Sequence, residues 1–291
     1  MCGEGGEDGA SLTNSVPDST LRGMNRLLAA AALLLLLALA AGQAPAAPVR
    51  PVQAEPVRPV QAEHLFARGE KLSYDLYWTV VKAGSATLET IPGVTLEGRK
   101  TLYFRALAKS TPFIDTFYKV RDSIESWVDP GMARAWLYKK DQEEGTYIRH
   151  YLVRFDAGGS VAHRYSKGEL KNAVITPYGC FDPLSMLFLF RTKPLAVGYE
   201  FASPVTDGEK AVVGRARVVR REKVTVKAGE FDTFLVEPEI KEIGGVFRKS
   251  PDATLQVWIT ADDRRIPVRV KSKVVVGSFS MELTGYEGPR Q

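Results

Sequence analysis

Cysteine and histidine are scarce in this chain, with 2 and 3 copies in 291 residues, and that scarcity excludes several chemistries at once. A zinc site would have to gather His150 and His163 from different strands with a carboxylate such as Asp156, and their spacing supports no such cluster. The Gly-x-Ser-x-Gly elbow, His-Glu-x-x-His, Cys-x-x-Cys and the glycine-rich phosphate loop are all missing. Cys2 lies far upstream, so Cys180 would be the sole thiol of a processed chain, and no intrachain disulfide could form. Cys180 could act as a nucleophile with His150 or His163 as base, but it adjoins an apolar run, where a lone cysteine behaves as a small buried hydrophobe. No catalytic residue, metal ligand or cofactor is assigned. Charge of one sign is also lacking: the net charge is +5. This reads as a solvated mixed-charge surface, and no basic segment interleaved with aromatics marks a nucleic-acid face.

Long hydrophobic runs are absent except one. Met24-Asn25-Arg26 precedes Leu27 to Ala41, nearly all Leu and Ala, and Ala44-Pro45-Ala46 offers an A-x-A cleavage site. A basic residue, a short apolar core and a small-residue exit make a secretory signal over 24–46, too short to span a bilayer comfortably. Residues 1–23 then read as a mis-assigned extension ahead of the true start at Met24. A start at Met1 would leave the run internal, as an uncleaved anchor. Removing residues 1–46 takes away four acidic and two basic residues, raising the net charge from +5 to +7. No Leu-small-small-Cys box follows the run, so the sequence predicts a soluble exported protein with no transmembrane span after cleavage. About 230 residues can bury enough surface to fold without a disulfide.

Residues 47–64 hold a perfect tandem octapeptide, Pro-Val-Arg-Pro-Val-Gln-Ala-Glu, at 48–55 and 56–63. Its prolines exclude helix and sheet, and sixteen extended residues would reach roughly 50 Å, so it reads as a disordered leader. From 65 to 288 the sequence predicts a single β-rich domain. Leu72, Tyr74, Leu76, Trp78 and Val80 alternate with Ser73, Asp75, Tyr77 and Thr79, and Lys82-Ala83-Gly84 is read as the turn into Ser85 to Ile91. Further strands are expected over 100–109, 119–128, 133–140, 146–155, 161–165, 211–220, 231–240, 254–260 and 266–276, with Ala261 to Arg264 turning between the last two. Two segments break the rhythm: Thr111-Pro112 opens a short helical turn, and Asp182-Pro183 opens a helix apolar on every side, which must be buried all round. The fold class is all-β, mostly antiparallel: a curled sheet or incomplete β-barrel whose concave face holds that helix.

Tyr74, Leu76, Trp78, Phe104, Leu187 and Phe188 fall on apolar strand faces or on the helix and are the candidate lining of a ligand cavity, unless they simply fill the core. Asp262-Asp263-Arg264-Arg265 could mimic an acid/base pair, but its place between two strands makes it a salt-bridged turn.

Six segments in order carry a resemblance: Gly69-Glu70-Lys71-Leu72-Ser73-Tyr74-Asp75, Val81-Lys82-Ala83-Gly84-Ser85-Ala86, Val120-Arg121-Asp122-Ser123-Ile124-Glu125-Ser126, Asp182-Pro183-Leu184-Ser185, Val226-Lys227-Ala228-Gly229-Glu230-Phe231, and Asp262-Asp263-Arg264-Arg265-Ile266-Pro267-Val268. Together, over about residues 66–285, they resemble the exported bacterial proteins grouped as domain-of-unknown-function family 3108. Cys180 is not part of that pattern. The resemblance implies a Gram-negative periplasmic β-rich domain and supplies no activity. The expected function is a non-enzymatic periplasmic binding or carrier protein for a hydrophobic or amphipathic ligand such as a lipid. The alternative is a cell-envelope assembly or scaffolding factor that holds a protein or glycan partner, and a hydrolase built on His150, His163 or Asp156 is a third reading.

Overall fold

The computed structural model describes residues 61–239, 253–274 and 277–288. The signal segment, the tandem octapeptide up to Val60 and the last residues of the strands expected to reach Ile240 and Val276 lie outside the described residues; the end of the second repeat, expected to be without helix, instead enters a helix from Ala62, which is buried. After a short helix α1 (Ala62–Phe66), the first strands are β1 (Glu70–Trp78), β2 (Val81–Ile91), the two-residue β3 (Thr95–Leu96) and β4 (Arg99–Lys100), and β5 (Leu102–Ser110). The short helix α2 (Pro112–Asp115) leads to β6 (Val120–Val128), β7 (Ala135–Glu144), β8 (Tyr147–Phe155), β9 (Val161–Ser166) and β10 (Glu169–Ile175). Helix α3 (Pro183–Arg191) separates these from β11 (Glu200–Thr206), β12 (Ala211–Val226), β13 (Gly229–Pro238), β14 (Thr254–Thr260), β15 (Pro267–Val274) and β16 (Gly277–Glu287).

Fourteen strands form one antiparallel sheet in the order β10-β9-β8-β7-β6-β5-β2-β1-β16-β15-β14-β13-β12-β11, and β3 with β4 makes a separate ribbon. The chain meanders, with β2 pairing with β5 past the separate β3–β4 ribbon and β1 joining β16 in the middle. The sheet curls without closing by a ladder, as the all-β expectation required. Its two end strands are instead bridged. Phe181 pairs with Val205 of β11, Ala135 N donates to Cys180 O at 3.1 Å, and Asn172 Nδ2 on β10 donates to the Gly208 and Glu209 carbonyls at 3.0 Å each. β12 and β13 outrun their neighbours, and their tip lies across the face of β1 opposite Tyr74: Lys227 reaches Asp75 at 2.5 Å and Ala228 N donates to Leu283 O at 3.1 Å.

The first turn falls at Thr79-Val80, where Thr79 takes φ 55°, and not at Lys82 to Gly84, which lie within β2. Gly84 serves a different need: a Cβ there would sit 2.4 Å from the Lys109 carbonyl, so only glycine lets β2 and β5 approach this closely. β10, β11 and β16 are strands that the sequence reading did not place.

Helix α3 forms where expected. Asp182 accepts from the Leu184 and Ser185 N–H groups at 2.9 Å each, Ser185 closes the capping box, and Pro183 occupies the first turn. Eight of its nine residues are buried and Leu187 is half-exposed, so a helix with no polar face is enclosed by the sheet. It lies against β5, β6 and β11. Phe188 stacks on Phe104 at 3.7 Å, and Phe66 of α1 meets both rings edge-on at 5.3 and 5.4 Å. Arg191 seals this end. Its guanidinium pairs with Glu70, and its remaining donors reach the Arg265 carbonyl at 2.8 Å and the Arg264 carbonyl at 3.1 Å, with both ionic partners buried. Both charges of the Arg191–Glu70 pair have hydrogen bonds, the condition under which such a pair is tolerated. Among the described residues no helix is long and apolar enough to cross a membrane.

Candidate functional site

Strand register arranges the concave face in rows. Tyr74, Ala86, Ala108, Asp122 and Gln142 lie side by side across β1, β2, β5, β6 and β7. Leu72, Leu88, Ala106, Ile124, Lys140 and Tyr151 form the next row toward the sealed end. The row beyond holds Glu70, Thr90, Phe104, Ser126, Tyr138 and Val153, and α3 covers it. Going away from α3, the side chains on β2 and β5 shrink to Ala106, Ala108, Ala86 and Gly84. Ala86 is half-exposed although the neighbours in its row, Tyr74 and Ala108, are buried, so solvent reaches the concave face at mid-strand.

This upper part of the face is polar. Alternation along β7 puts Lys140, Gln142 and Glu144 in one phase, with Asp122 directly opposite Gln142. Gln142 Nε2 donates to Glu144 Oε1 at 2.6 Å, and the Glu143 N–H donates to Asp122 Oδ1 at 3.0 Å. Asp122, only 6% exposed, shares a side-chain hydrogen bond with Glu144, one carboxyl holding the proton that the other accepts. Burial pushes both carboxyls above the ordinary carboxylate range, and mutual repulsion adds to the rise at Glu144. Burial also lowers Lys140 to about 8, against the pull of Asp122 and Glu144. Deeper in, the Arg164 guanidinium lies 3.8 Å over the Tyr151 ring and pairs with Glu209 at 2.8 Å, which closes the face beneath the β11–β12 turn.

The six candidate lining residues divide. Tyr74, Phe104 and Phe188 are enclosed by other side chains, with the Tyr74 hydroxyl donating to Pro267 O at 2.8 Å; they make the aromatic floor. Leu76 is buried one row above, at the level of Gly84, while Trp78 and Leu187 keep exposed surface. Reading the sequence for aromatics missed Asp122, Lys140 and Glu144. The available signal was their phase: Asp122 alternates with Val120 and Ile124 on the buried side of β6.

The candidate chemistries end elsewhere. Burial pushes the Cys180 thiol up to about 12, which keeps it protonated. His150 Nδ1 sits 3.0 Å from Asp141 on an exposed strand face, His163 lies opposite Arg154 on the next ladder, and Asp156 is held by the Ser160 and Val161 N–H groups in the β8–β9 turn. Asp262 and Arg264 pair within the β14–β15 turn at 2.5 Å, and Arg265 turns inward to donate to Lys193 O at 2.9 Å. Among the described residues no three His, Cys, Asp or Glu side chains gather as metal ligands.

The family profile described as "Protein of unknown function (DUF3108)" matches residues 73–284. The chain belongs to this family. The match covers all but the first of the six segments that carried the resemblance, and the end of that first one. No curated protein matches the DUF3108 chain. Its fold is similar to that of a β-barrel-like DUF1849 protein from Brucella abortus, with TM-score 0.53 and 11% identity over 80% of this chain and 99% of that one. More distant are a candidate lipoprotein from Parabacteroides distasonis (TM-score 0.31, 11% identity, 77% of this chain and 98% of that one) and a candidate exported protein with a YmcC-like fold from Bacteroides fragilis (TM-score 0.33, 10% identity, 80% and 99%). The first likeness establishes a shared barrel-like fold alone. None of the three, nor the family, is described as catalytic.

Proposed function

We propose that this DUF3108 protein is a non-enzymatic, exported, periplasmic binding or carrier protein whose concave face takes one amphipathic molecule. The observation that supports this most is the row at Ala86, Ala108 and Asp122. Small side chains leave width, solvent reaches Ala86, and the buried, mutually hydrogen-bonded carboxyls of Asp122 and Glu144 stand beside them. A buried carboxyl pair at a concave surface has acceptor sites left over after its shared proton, which a hydroxyl, amine or water can occupy. Phe104 and Phe188 below this row, with Tyr74 at its β1 end, offer an apolar floor. The pairing fits a ligand with a hydrogen-bond-donating head and an apolar body. The exported setting rests on the signal segment at 24–46.

Native mass spectrometry of the protein purified from the periplasm, followed by organic extraction, tests this reading. A stoichiometric amphipathic molecule is expected, and Ala86→Trp should evict it while the fold survives. A polypeptide-only mass, together with no uptake of added lysolipid or fatty acid, would sink it. A scaffolding role has one feature in its favour: β10 is an end strand of the sheet with Leu170 and Ile175 exposed, and it could accept a strand from a partner.

A further inference from the structure

The meander brings every second connection of its N-terminal half to one end of the sheet. Gly84 lies opposite Ser110, Val120 N donates to Ser110 Oγ at 2.8 Å, and Val120 lies opposite Glu144. The β1–β2 turn, α2 with its flanks and the β7–β8 turn therefore all rise beyond the same level, at the end opposite α3. Each holds apolar side chains out into solvent: Val80 is 85% exposed, Phe113 67%, Phe117 66% and Ile148 64%. With strands about 4.8 Å apart, these tips span roughly 20 Å of rim.

The rim is braced. Thr111 caps α2, Asp115 pairs with Arg121 at 2.5 Å, and the Gly145 N–H donates to Lys119 O at 2.8 Å, tying the second tip to the third. The Tyr118 ring lies so close to Gly145 that a Cβ there would sit 2.7 Å from it. The Phe113 and Phe117 rings meet edge-on at 5.6 Å, held outward as a pair. Within four residues of the exposed apolar side chains stand five cations, Lys82, Lys109, Lys119, Arg121 and Arg149, against Asp115 and the buried Glu144, with Lys82 paired to Asp75 at 2.5 Å and Arg149 to Glu209 at 3.5 Å. Arg121 already occupies Asp115.

We propose that this rim docks on the surface of an anionic phospholipid bilayer, with Phe113, Phe117, Val80 and Ile148 entering the boundary between headgroups and acyl chains and the cations facing lipid phosphates. Apolar points separated by charges at strand ends suit a fluid headgroup layer. A protein partner would call for a contiguous apolar patch. The docked orientation turns the Ala86 and Asp122 row toward the membrane, but the proposal stands on the rim and does not depend on a ligand being carried.

The test uses the exported protein with vesicles of phosphatidylcholine, alone or mixed with phosphatidylglycerol. Partition into the mixed vesicles is expected, weakened by added salt. Phe113→Ser with Phe117→Ser should weaken it roughly a hundredfold, about tenfold per phenyl, while Val197→Ser in the α3–β11 connection should leave it unchanged. Phe113→Trp reads the rim directly, because brominated acyl chains should quench its added emission. An unquenched Trp at position 113 in vesicle-bound protein overturns the proposal, as does unaltered partition of the folded double variant. Capture of an envelope protein through the rim, without vesicle binding, overturns it equally. Vesicle partition supports the proposal whether or not a ligand co-purifies.

Discussion

Phenylalanine meets opposite fates at the two ends of this sheet. At one end Phe188 and Phe104 stack at 3.7 Å with Phe66 against both, and Arg191 with Glu70 closes the layer behind them. At the other end Phe113 and Phe117 touch each other and are otherwise exposed. The first arrangement is what a helix with no polar face demands, since α3 can be stable only where apolar surface surrounds it. The second contributes little to folding, so its braced geometry is better explained by a surface it must meet. Between the ends, side chains shrink to Ala86 and Ala108, and the polar cluster of Asp122, Lys140 and Glu144 sits where an all-apolar core would have been more stable.

The contrast should break most sharply at the sealed end. Arg191→Ala leaves Glu70 buried without a partner and should cost about 3–5 kcal/mol in urea unfolding, whereas Arg191→Met combined with Glu70→Met should recover most of that loss. A double variant no better than the single one would mean the pair is not the seal. Phe188→Ala should cost a similar 3–5 kcal/mol through the cavity left beneath Phe104 and Phe66. Asp182→Ala removes the cap of α3 and its bonds to Ser126 and Ser185; a loss of roughly 1–3 kcal/mol is expected, read by the same unfolding curves.

The polar cluster should show itself in the pH dependence of stability. Asp122 and Glu144 hold protons in the folded protein that the unfolded chain has already released, and Asp182, raised by burial to about 6, adds to this. Stability from this source is therefore greatest near the ordinary carboxylate pKa and falls as the pH rises through the folded values. Glu144→Gln should flatten the decline between about pH 5 and 8 and leave the variant more stable than the parent at pH 8, by on the order of 1 kcal/mol. An unchanged slope would show that the cluster ionises as freely folded as unfolded. The smallest effect belongs to the rim: Phe113→Ser should change unfolding free energy by no more than about 0.5 kcal/mol. A large loss would mean that the rim is structural after all.

Much of this division could be read in the sequence, and the parts that could not have physical causes. Period-two alternation located β1, most of β2, β5 to β9 and β12 to β15, because one face of each is more buried than the other. The caps at Thr111 and Asp182 carried local instructions and were legible residue by residue. β10 escaped because none of its residues is buried and alternation has nothing to mark. β11 escaped because Pro204 argues against a strand, and it is tolerated there because β11 is an end strand of the sheet. β16 did carry the signal, in Phe279, Met281 and Leu283, which are buried in alternation. Of the apolar residues read as candidate cavity lining, Tyr74, Phe104 and Phe188 are enclosed by other side chains. The proposed ligand face rests on the change from Phe104 to Ala106 and Ala108 along one strand, beside a carboxyl on the buried phase of the next. Apolar pattern alone does not distinguish a small side chain packed against a neighbour from one that leaves room, since that depends on which strands become adjacent.

The central claim, an interior sealed at α3 and reachable from the rim, is tested most directly by thiol labelling. Cys180 lies at the sealed end, buried and with its thiol pushed up to about 12, and provides the internal reference. In the Ala86→Cys variant at pH 8, the new thiol should react with a small methanethiosulfonate reagent many times faster than Cys180, followed by peptide mass, and added amphipathic ligand should slow it. Equal, slow labelling at positions 86 and 180 would show a face closed along its whole length and would contradict the account.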